Sequence, residues 1–415
     1  MKILVVSISM YLPSYTGSTK ANRATLTQLA AIGHECHAVT GLWHGPKPGS
    51  TQALLRKYLS ERGIDFQQES PRETTYLWEG VRVHAADPVD PLRRCVEKQI
   101  REFSPDWVFV SGGEPSDFLL ELCLKLCPEK VIYFAHATLA LPFGPGAFHC
   151  NMRRTLLLKQ ARSIVVPSQF VQRYIQRWAS LDSFLFRFPV YGCPPYALVR
   201  ERPGNLIAII NPCAVKGISI FEELARQLPQ HEFGAVPTWG TSGKDRLRLA
   251  EHKNITVLEP SENIDDIFSR VWFLLVPSLW DEAFGQVAVE AMLRGIPAIT
   301  SNVGGLPEAS LGVARIIPVQ RIEQYEKAFD ELYMPLPCLP PQSIEPWKEA
   351  VLELASDSDL HRSLSIRSRE AAFKFVEGVT VAKLEDFLSR LQCETPNWAS
   401  QSRPRELDAA SDCAD

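Results

Sequence analysis

The chain has 415 residues, enough for two large domains or three smaller ones at about 150 residues each. Hydrophobic residues make up 45% and charged residues 22%, which excludes a collagen-like, disulfide-scaffold or globally disordered chain. Lys plus Arg total 44 against 48 Asp plus Glu; a net charge of −4 offers no field for general nucleic-acid binding but leaves room for a local phosphate pocket.

The opening run KILVVSI (2–8) reads as a buried strand. It breaks at Pro13 without a small-residue cleavage site, so it does not read as a signal peptide. ANRATLTQLAAIG (21–33) has Leu26, Leu29 and Ala30 at helical spacing and Gly33 as its stop. Then follow a strand (35–41), a helix (51–63), a strand (106–113), a helix (116–127), and strands at 131–136 and 163–168. A helix near 169–178 closes the series. Short strands alternating with helices predict βαβ units on a parallel sheet. The stretch 183–205 is rich in Pro and carries a strand-like FLFRF. A second series starts at LIAIIN (206–211), with strands at 231–236, 254–258, 271–278 and 296–301 and helices at 219–228 and 285–295.

The expected class is α/β: an N-terminal domain over 1–190, a linker over 191–205 and a second domain over 206–380. An amphipathic helix over 381–394 is expected to pack back on the first domain, ahead of a polar, disordered tail over 395–415. The ligand would lie in the cleft between the halves. No apolar run reaches the ~20 residues of a membrane helix, and the ten Cys are scattered without paired CxxC motifs. A cytoplasmic protein is expected; peripheral membrane contact and oligomeric state stay open. His34 and His37 flank Cys36 on a strand whose residues alternate faces, which argues against a metal site.

The most informative stretch is VPSLWDEAFGQVAVEAMLRGIPAITSNVGGLPE (276–308). A strand ends near Ser278, a loop carries Asp281 and Glu282, and a helix begins near Gly285. The amides of Phe284, Gly285 and Gln286 lie where free N–H groups and the helix dipole favour an anion such as phosphate. Glu290 falls inside an apolar run, where a carboxylate needs hydrogen-bond partners; the paired hydroxyls of a ribose would serve. Taken singly, Glu290 could be a solvated helix position and Glu282 a helix-start carboxylate. No GxGxxG follows the first strand, which disfavours a nicotinamide dehydrogenase.

Glu282-Ala-Phe-Gly-Gln-Val-Ala-Val-Glu290, followed by Gly304-Gly305-Leu306-Pro307-Glu308, resembles the Glu-x7-Glu element of the family-4 retaining glycosyltransferases (glycosyl transferases group 1). Ala283 stands where Pro is commoner. The resemblance implies a GT-B fold, two Rossmann-like parallel-sheet domains facing across a cleft. It implies that Glu290 holds the nucleotide ribose, that Glu282 with the backbone of Ala283, Phe284 and Gly285 holds the donor sugar, and that the Gln286 and Val287 amides touch the diphosphate. The family's Arg-x4-Lys-Gly element appears as Asn211-Pro-Cys-Ala-Val-Lys216-Gly217, with Asn211 in the Arg position. Lys216 would neutralise the diphosphate, and Arg246 or Arg248 could supply the missing cation.

Gly17 would bring its loop near the diphosphate, or it is a plain strand-to-helix turn with Thr19 as N-cap. His136, at the end of a strand, would approach the donor sugar, or it is a structural histidine. The apolar loop 139–148 would border an acceptor pocket or pack on its own domain. Lys216, His136 and Glu282 form the expected catalytic group; Gly17, Asn211, Glu282, Ala283, Phe284, Gly285, Gln286, Val287 and Glu290 form the donor site. The expected activity is retaining transfer from a nucleotide-diphosphate sugar, a UDP-sugar favoured, to a hydroxyl of a glycan, lipid or small natural product. No metal or other cofactor is called for. The alternatives are a catalytically weak nucleotide-sugar-binding subunit and a GT-B-fold sugar-nucleotide epimerase.

Overall fold

The computed structural model describes residues 1–14, 16–43, 51–113, 117–192, 194–198 and 204–394; the tail 395–415 lies outside the described residues. The first half runs β1 (Lys2–Ser9), α1 (Gly17–Ala31), β2 (Glu35–Trp43), α2 (Gln52–Glu61), β3 (Phe66–Ser70), β4 (Glu73–Trp78), β5 (Val81–Ala86), α3 (Asp90–Phe103) and β6 (Trp107–Ser111). It continues with α4 (Phe118–Leu126), β7 (Val131–Phe134), α5 (Met152–Leu158), β8 (Ser163–Val166), α6 (Gln169–Ala179) and β9 (Phe184–Leu185). Its nine strands are ordered β3-β4-β5-β2-β1-β6-β7-β8-β9. From β5 to β9 the sheet is parallel, but the β3–β4 and β4–β5 pairings are antiparallel, so one edge departs from the all-parallel expectation.

The continuous apolar run of β1 reflects burial on both faces. Ile3 and Val5 enter one core with Leu26 and Leu29 of α1, while Leu4 and Val6 enter the other with Leu92 and Val96 of α3. Helix α1 starts four residues earlier than the periodicity suggests. Thr16, not Thr19, is its N-cap, and Thr19 completes a capping box.

The second half runs β10 (Leu206–Ile210), α7 (Ile218–Gln227), β11 (Phe233–Val236), α8 (Gly243–Ala250), β12 (Ile255–Val257), α9 (Ile264–Phe268), β13 (Val271–Val276), α10 (Gln286–Leu293), β14 (Ala298–Ser301), α11 (Leu306–Ala309) and β15 (Arg315–Ile317). A hairpin, β16 (Tyr325–Phe329) and β17 (Pro335–Pro337), precedes α12 (Glu345–Ser356), α13 (Ser358–Glu377) and α14 (Ala382–Cys393). The six-stranded parallel sheet has the order β12-β11-β10-β13-β14-β15, the doubly wound Rossmann order with its switch point between β10 and β13. Strand β10 repeats the logic of β1: Ile207 and Ile209 face one core, Leu206 and Ala208 the other.

The last helix does not stay with the second sheet. Val381, Leu384 and Leu388 are buried in the core that β1 and α1 share, and Phe387 stacks on Phe184 at 3.9 Å. Arg369 of α13 donates to the carbonyls of Tyr196, at 3.1 Å, and Ala197, at 3.2 Å, fixing the crossing segment.

Candidate active site

The two sheets present their C-terminal strand ends to one cleft of about 480 Å³, in the size range of ligand pockets. Gly17 and His136 line its N-terminal wall; Asn211, Lys216, Glu282, Ala283, Phe284, Gly285, Gln286, Val287 and Glu290 line the other. The expected catalytic and donor-site residues therefore all face the same space.

Lys216 ends a 3-10 turn after β10, and Gly217 follows with φ +78°. A Cβ on Gly217 would come within 2.0 Å of the Pro277 carbonyl oxygen, so this close approach to the end of β13 requires glycine. It places Lys216 Nζ 2.5 Å from Glu282 Oε1, which also accepts from Ser278 Oγ at 2.5 Å. Burial pushes the Glu282 carboxyl up, but the Lys216 ammonium and the two hydrogen bonds outweigh it and the net shift is downward. Glu282 is an ionised carboxylate held through Oε1. Lys216 also lies 4.9 Å from the centre of the Trp280 ring.

Helix α10 begins at Gly285 with no side-chain cap and no acidic residue in its first turn. Its dipole and first-turn amides are thus open to an anion from the cleft. Glu290 follows one turn on from Gln286 and faces the same cleft. The loop ahead of α10 is clamped by the next one. Gly305 N donates to Glu282 O at 2.7 Å, and a Cβ on Gly304, whose φ is +60°, would meet the Glu282 backbone at 2.3 Å.

Asn211 is only 4% exposed and sits at φ +61°. Its Oδ1 accepts from Gly240 N at 2.9 Å and Thr241 Oγ1 at 3.3 Å. Its Nδ2 has no partner among the described residues. Asn211 thus anchors the 238–241 loop and leaves one buried donor at the cleft wall. The cation expected from α8 is not there: Arg248 pairs with Glu222, and neither Arg246 nor Arg248 lines the cleft. Besides Lys216, the cations that do are Lys20 and Arg23 of α1, neither with an acidic partner among the described residues. The apolar periodicity of α1 begins only at Ala21 and does not mark them; the turn Thr16-Gly-Ser-Thr, with basic residues three apart just behind it, is the signal the sequence carries.

On the N-terminal wall, His136 Nε2 lies 3.0 Å from Asn22 Oδ1, whose Nδ2 donates to Ser111 Oγ at 2.8 Å. In this arrangement Nε2 carries the proton and Nδ1 the lone pair. Burial lowers the His136 pKa to about 3, so the ring is neutral. A Cβ on Gly17 would stand 3.3 Å from Gln286 Oε1, showing how closely the α1 and α10 N-termini approach. Asp281 also lines the cleft; burial raises its carboxyl despite Arg321 at 3.7 Å. The loop 139–148 does not border the cleft. Leu141 and Phe143 pack into their own domain, and Phe148 meets Tyr325 and Phe329 of the β16–β17 hairpin.

The decisive comparison falls on the opposite wall, in the second half of the chain: residues 244–333 match the model of the glycosyl transferases group 1. The fold is GT-B, and the chain carries a glycosyl transferases group 1 segment. The chain is 35% identical over 124 residues to a D-inositol 3-phosphate glycosyltransferase of Mycobacterium leprae, covering 27% of this chain and 29% of that one. It is 27% identical over 176 residues to an exopolysaccharide phosphotransferase of Streptomyces coelicolor, covering 41% of this chain and 17% of that one. The chain thus spans less than a third of the length of these curated relatives. The backbone resembles a sucrose-phosphate synthase from Thermosynechococcus elongatus (TM-score 0.66, 16% identity, 95% of this chain and 100% of that chain). It also resembles Anabaena HepE solved with UDP-glucose (TM-score 0.63, 14% identity, 95% and 99%). The group 1 segment contains Asp281 to Glu290 and the Gly304-Gly305 clamp. No helix among the described residues is long and apolar enough to cross a membrane.

Proposed function

We propose that the chain transfers a sugar, with retention of anomeric configuration, from a nucleotide-diphosphate sugar to an acceptor hydroxyl. The observation that carries this reading is the uncapped α10 N-terminus beside the Lys216–Glu282 pair, with Glu290 one turn further along the same wall. The ribose hydroxyls bind Glu290, the diphosphate lies against the Gln286 and Val287 amides and Lys216, and Glu282 with the 283–285 backbone holds the sugar. Glu282 is locked to Lys216 and Ser278, which suits a binding role rather than attack on the anomeric carbon. The departing diphosphate oxygen takes the acceptor's proton on the same face as the new bond forms. Catalysis is then electrostatic, with preformed donors meeting the charge that grows on the leaving group, and cleft closure aligning the reactants.

Asn211 supplies a neutral Nδ2 donor where relatives of this type place a cation, and Lys20 and Arg23 provide charge from the opposite wall. The scheme calls for no metal or organic cofactor. A UDP-sugar is the favoured donor, in keeping with HepE's UDP-glucose complex. The acceptor is a hydroxyl of a glycan, lipid or small natural product, met by the wall that carries neutral His136.

Thermal unfolding with UDP, GDP, dTDP, ADP and NAD, on the wild type and Glu290→Ala, tests the reading. A ligand at about 100 times its dissociation constant stabilises by about 2.7 kcal/mol. A shift from one nucleotide diphosphate that disappears in the variant supports it. No shift from any of them, or a shift from NAD alone, refutes it. Binding without turnover over a broad acceptor panel would point instead to a binding subunit.

A further inference from the structure

The motif residue that the donor site leaves unused is Glu308. It lies on α11, in the second half of the chain, yet its carboxylate is spent on the first half. Oε1 accepts from Phe170 N at 2.6 Å; Oε2 accepts from Gln169 N at 3.1 Å and from Arg187 Nη2 at 2.6 Å. Gln169 and Phe170 open α6, an eleven-residue helix with no acidic residue in its own first turn. Its N-cap, Ser168, accepts from Val171 N. Two of the donors that any helix leaves unmatched at its start are therefore satisfied from the other domain, by a charge of the sign the helix dipole favours.

Arg187 extends the connection. One guanidinium nitrogen holds Glu308 and another donates to Pro167 O, just before α6. The guanidinium carbon lies 4.5 Å from the centre of the Phe284 ring, which also stacks on Phe375 of α13 at 5.5 Å. Phe284 is the middle residue of the loop 283–285 and is 4% exposed. An unbroken set of contacts thus runs from the α6 N-terminus through Glu308 and Arg187 to the loop that opens α10.

We infer that Glu308 and Arg187 are positioning residues forming a latch between the domains, which engages when the cleft closes and seats Phe284 so that the α10 N-terminus is aimed at the bound diphosphate. The pair keeps side-chain exposures of 17% and 20%, so water replaces its hydrogen bonds readily when the domains part. Closure and donor-loop order are coupled because one guanidinium serves both. This inference rests on the nucleotide-sugar reading of the cleft.

The test is amide hydrogen exchange over residues 168–172 with and without UDP, or whichever nucleotide diphosphate the thermal screen selects, combined with steady-state kinetics. In the wild type the nucleotide slows exchange at Gln169 and Phe170. In Glu308→Gln the nucleotide still binds but that slowing is lost, and kcat falls about tenfold with donor KM changed less than threefold. Arg187→Lys keeps the charge and loses the guanidinium over the Phe284 ring: the slowing persists while kcat falls. The latch is overturned if the nucleotide slows exchange equally in Glu308→Gln, if exchange in the wild type ignores the nucleotide, or if the whole kinetic loss appears in donor KM. A chain that binds no nucleotide diphosphate overturns the proposed function and the latch together; one that binds it and exchanges alike in both proteins overturns the latch alone.

Discussion

Replacing Lys216 with Met would strand Glu282, a carboxylate 8% exposed whose charge is sustained by that ammonium and by Ser278. Breaking a buried pair by removing one partner costs about 3–5 kcal/mol, whereas removing both is far milder. Lys216→Met should therefore lower unfolding stability in urea by about 3 kcal/mol, and Lys216→Met with Glu282→Gln should recover most of it while binding donor poorly. Acid acts on the same residues. The Glu282 carboxyl is depressed below 4.5, so its contribution is complete above pH 4.5 and is lost as pH falls through the lower folded value. Burial lowers His136 and His84 from 6.5 to about 3, so the unfolded chain takes up their protons first and stability declines from pH 6.5 towards 3. Each contributes at most about 1.4 kcal/mol per pH unit in that window. Thermal unfolding between pH 7 and 5 should show the decline, and His136→Gln should flatten part of it. The acidic members of this site were readable from their spacing. Lys20 and Arg23 leave only the faint signal of basic residues behind a turn, since it is the fold that turns that face of α1 toward the cleft; Arg23→Gln should weaken nucleotide diphosphate binding several-fold in calorimetry, more so at low salt.

The elements that read clearly were those buried on both faces. Strands β1 and β10 show as unbroken apolar runs because their alternate side chains enter two different cores. The β3 strand, FQQES, was invisible for the opposite reason: its middle three residues are exposed and only Phe66 offers an apolar signal. Edge strands held by backbone pairing leave little trace in hydropathy. The loop carrying Gly304 was legible as a motif, but its task was not. Its positive φ and the 2.3 Å approach to the Glu282 backbone show that it presses on the donor loop from behind. Gly304→Ala should combine left-handed strain with overpacking, costing about 2–4 kcal/mol in denaturant unfolding. Donor affinity should fall with it, because any relief must move residues 281–284.

At the scale of the molecule, α14 ties the end of the described chain to its beginning. Val381, Leu384 and Leu388 lie in the first core at 4% exposure or less, and His34 Nε2 meets Glu385 Oε1 at 2.9 Å. Three buried aliphatic side chains at about 1.5–3 kcal/mol each make this helix worth several kcal/mol to the first domain. A chain ending at Gly378 should lose cooperative unfolding, with the N-terminal domain melting first in calorimetry while the second half keeps its transition. The same connection sets an order during synthesis. The second sheet and the α12 residues that close its core, Trp347 to Leu354, are all made before Val381 emerges. Domains ordinarily fold as they leave the ribosome, the N-terminal one first. Here the domain that is translated first is completed last, waiting with an apolar groove open beside Leu26 and Phe184 until its neighbour is already built.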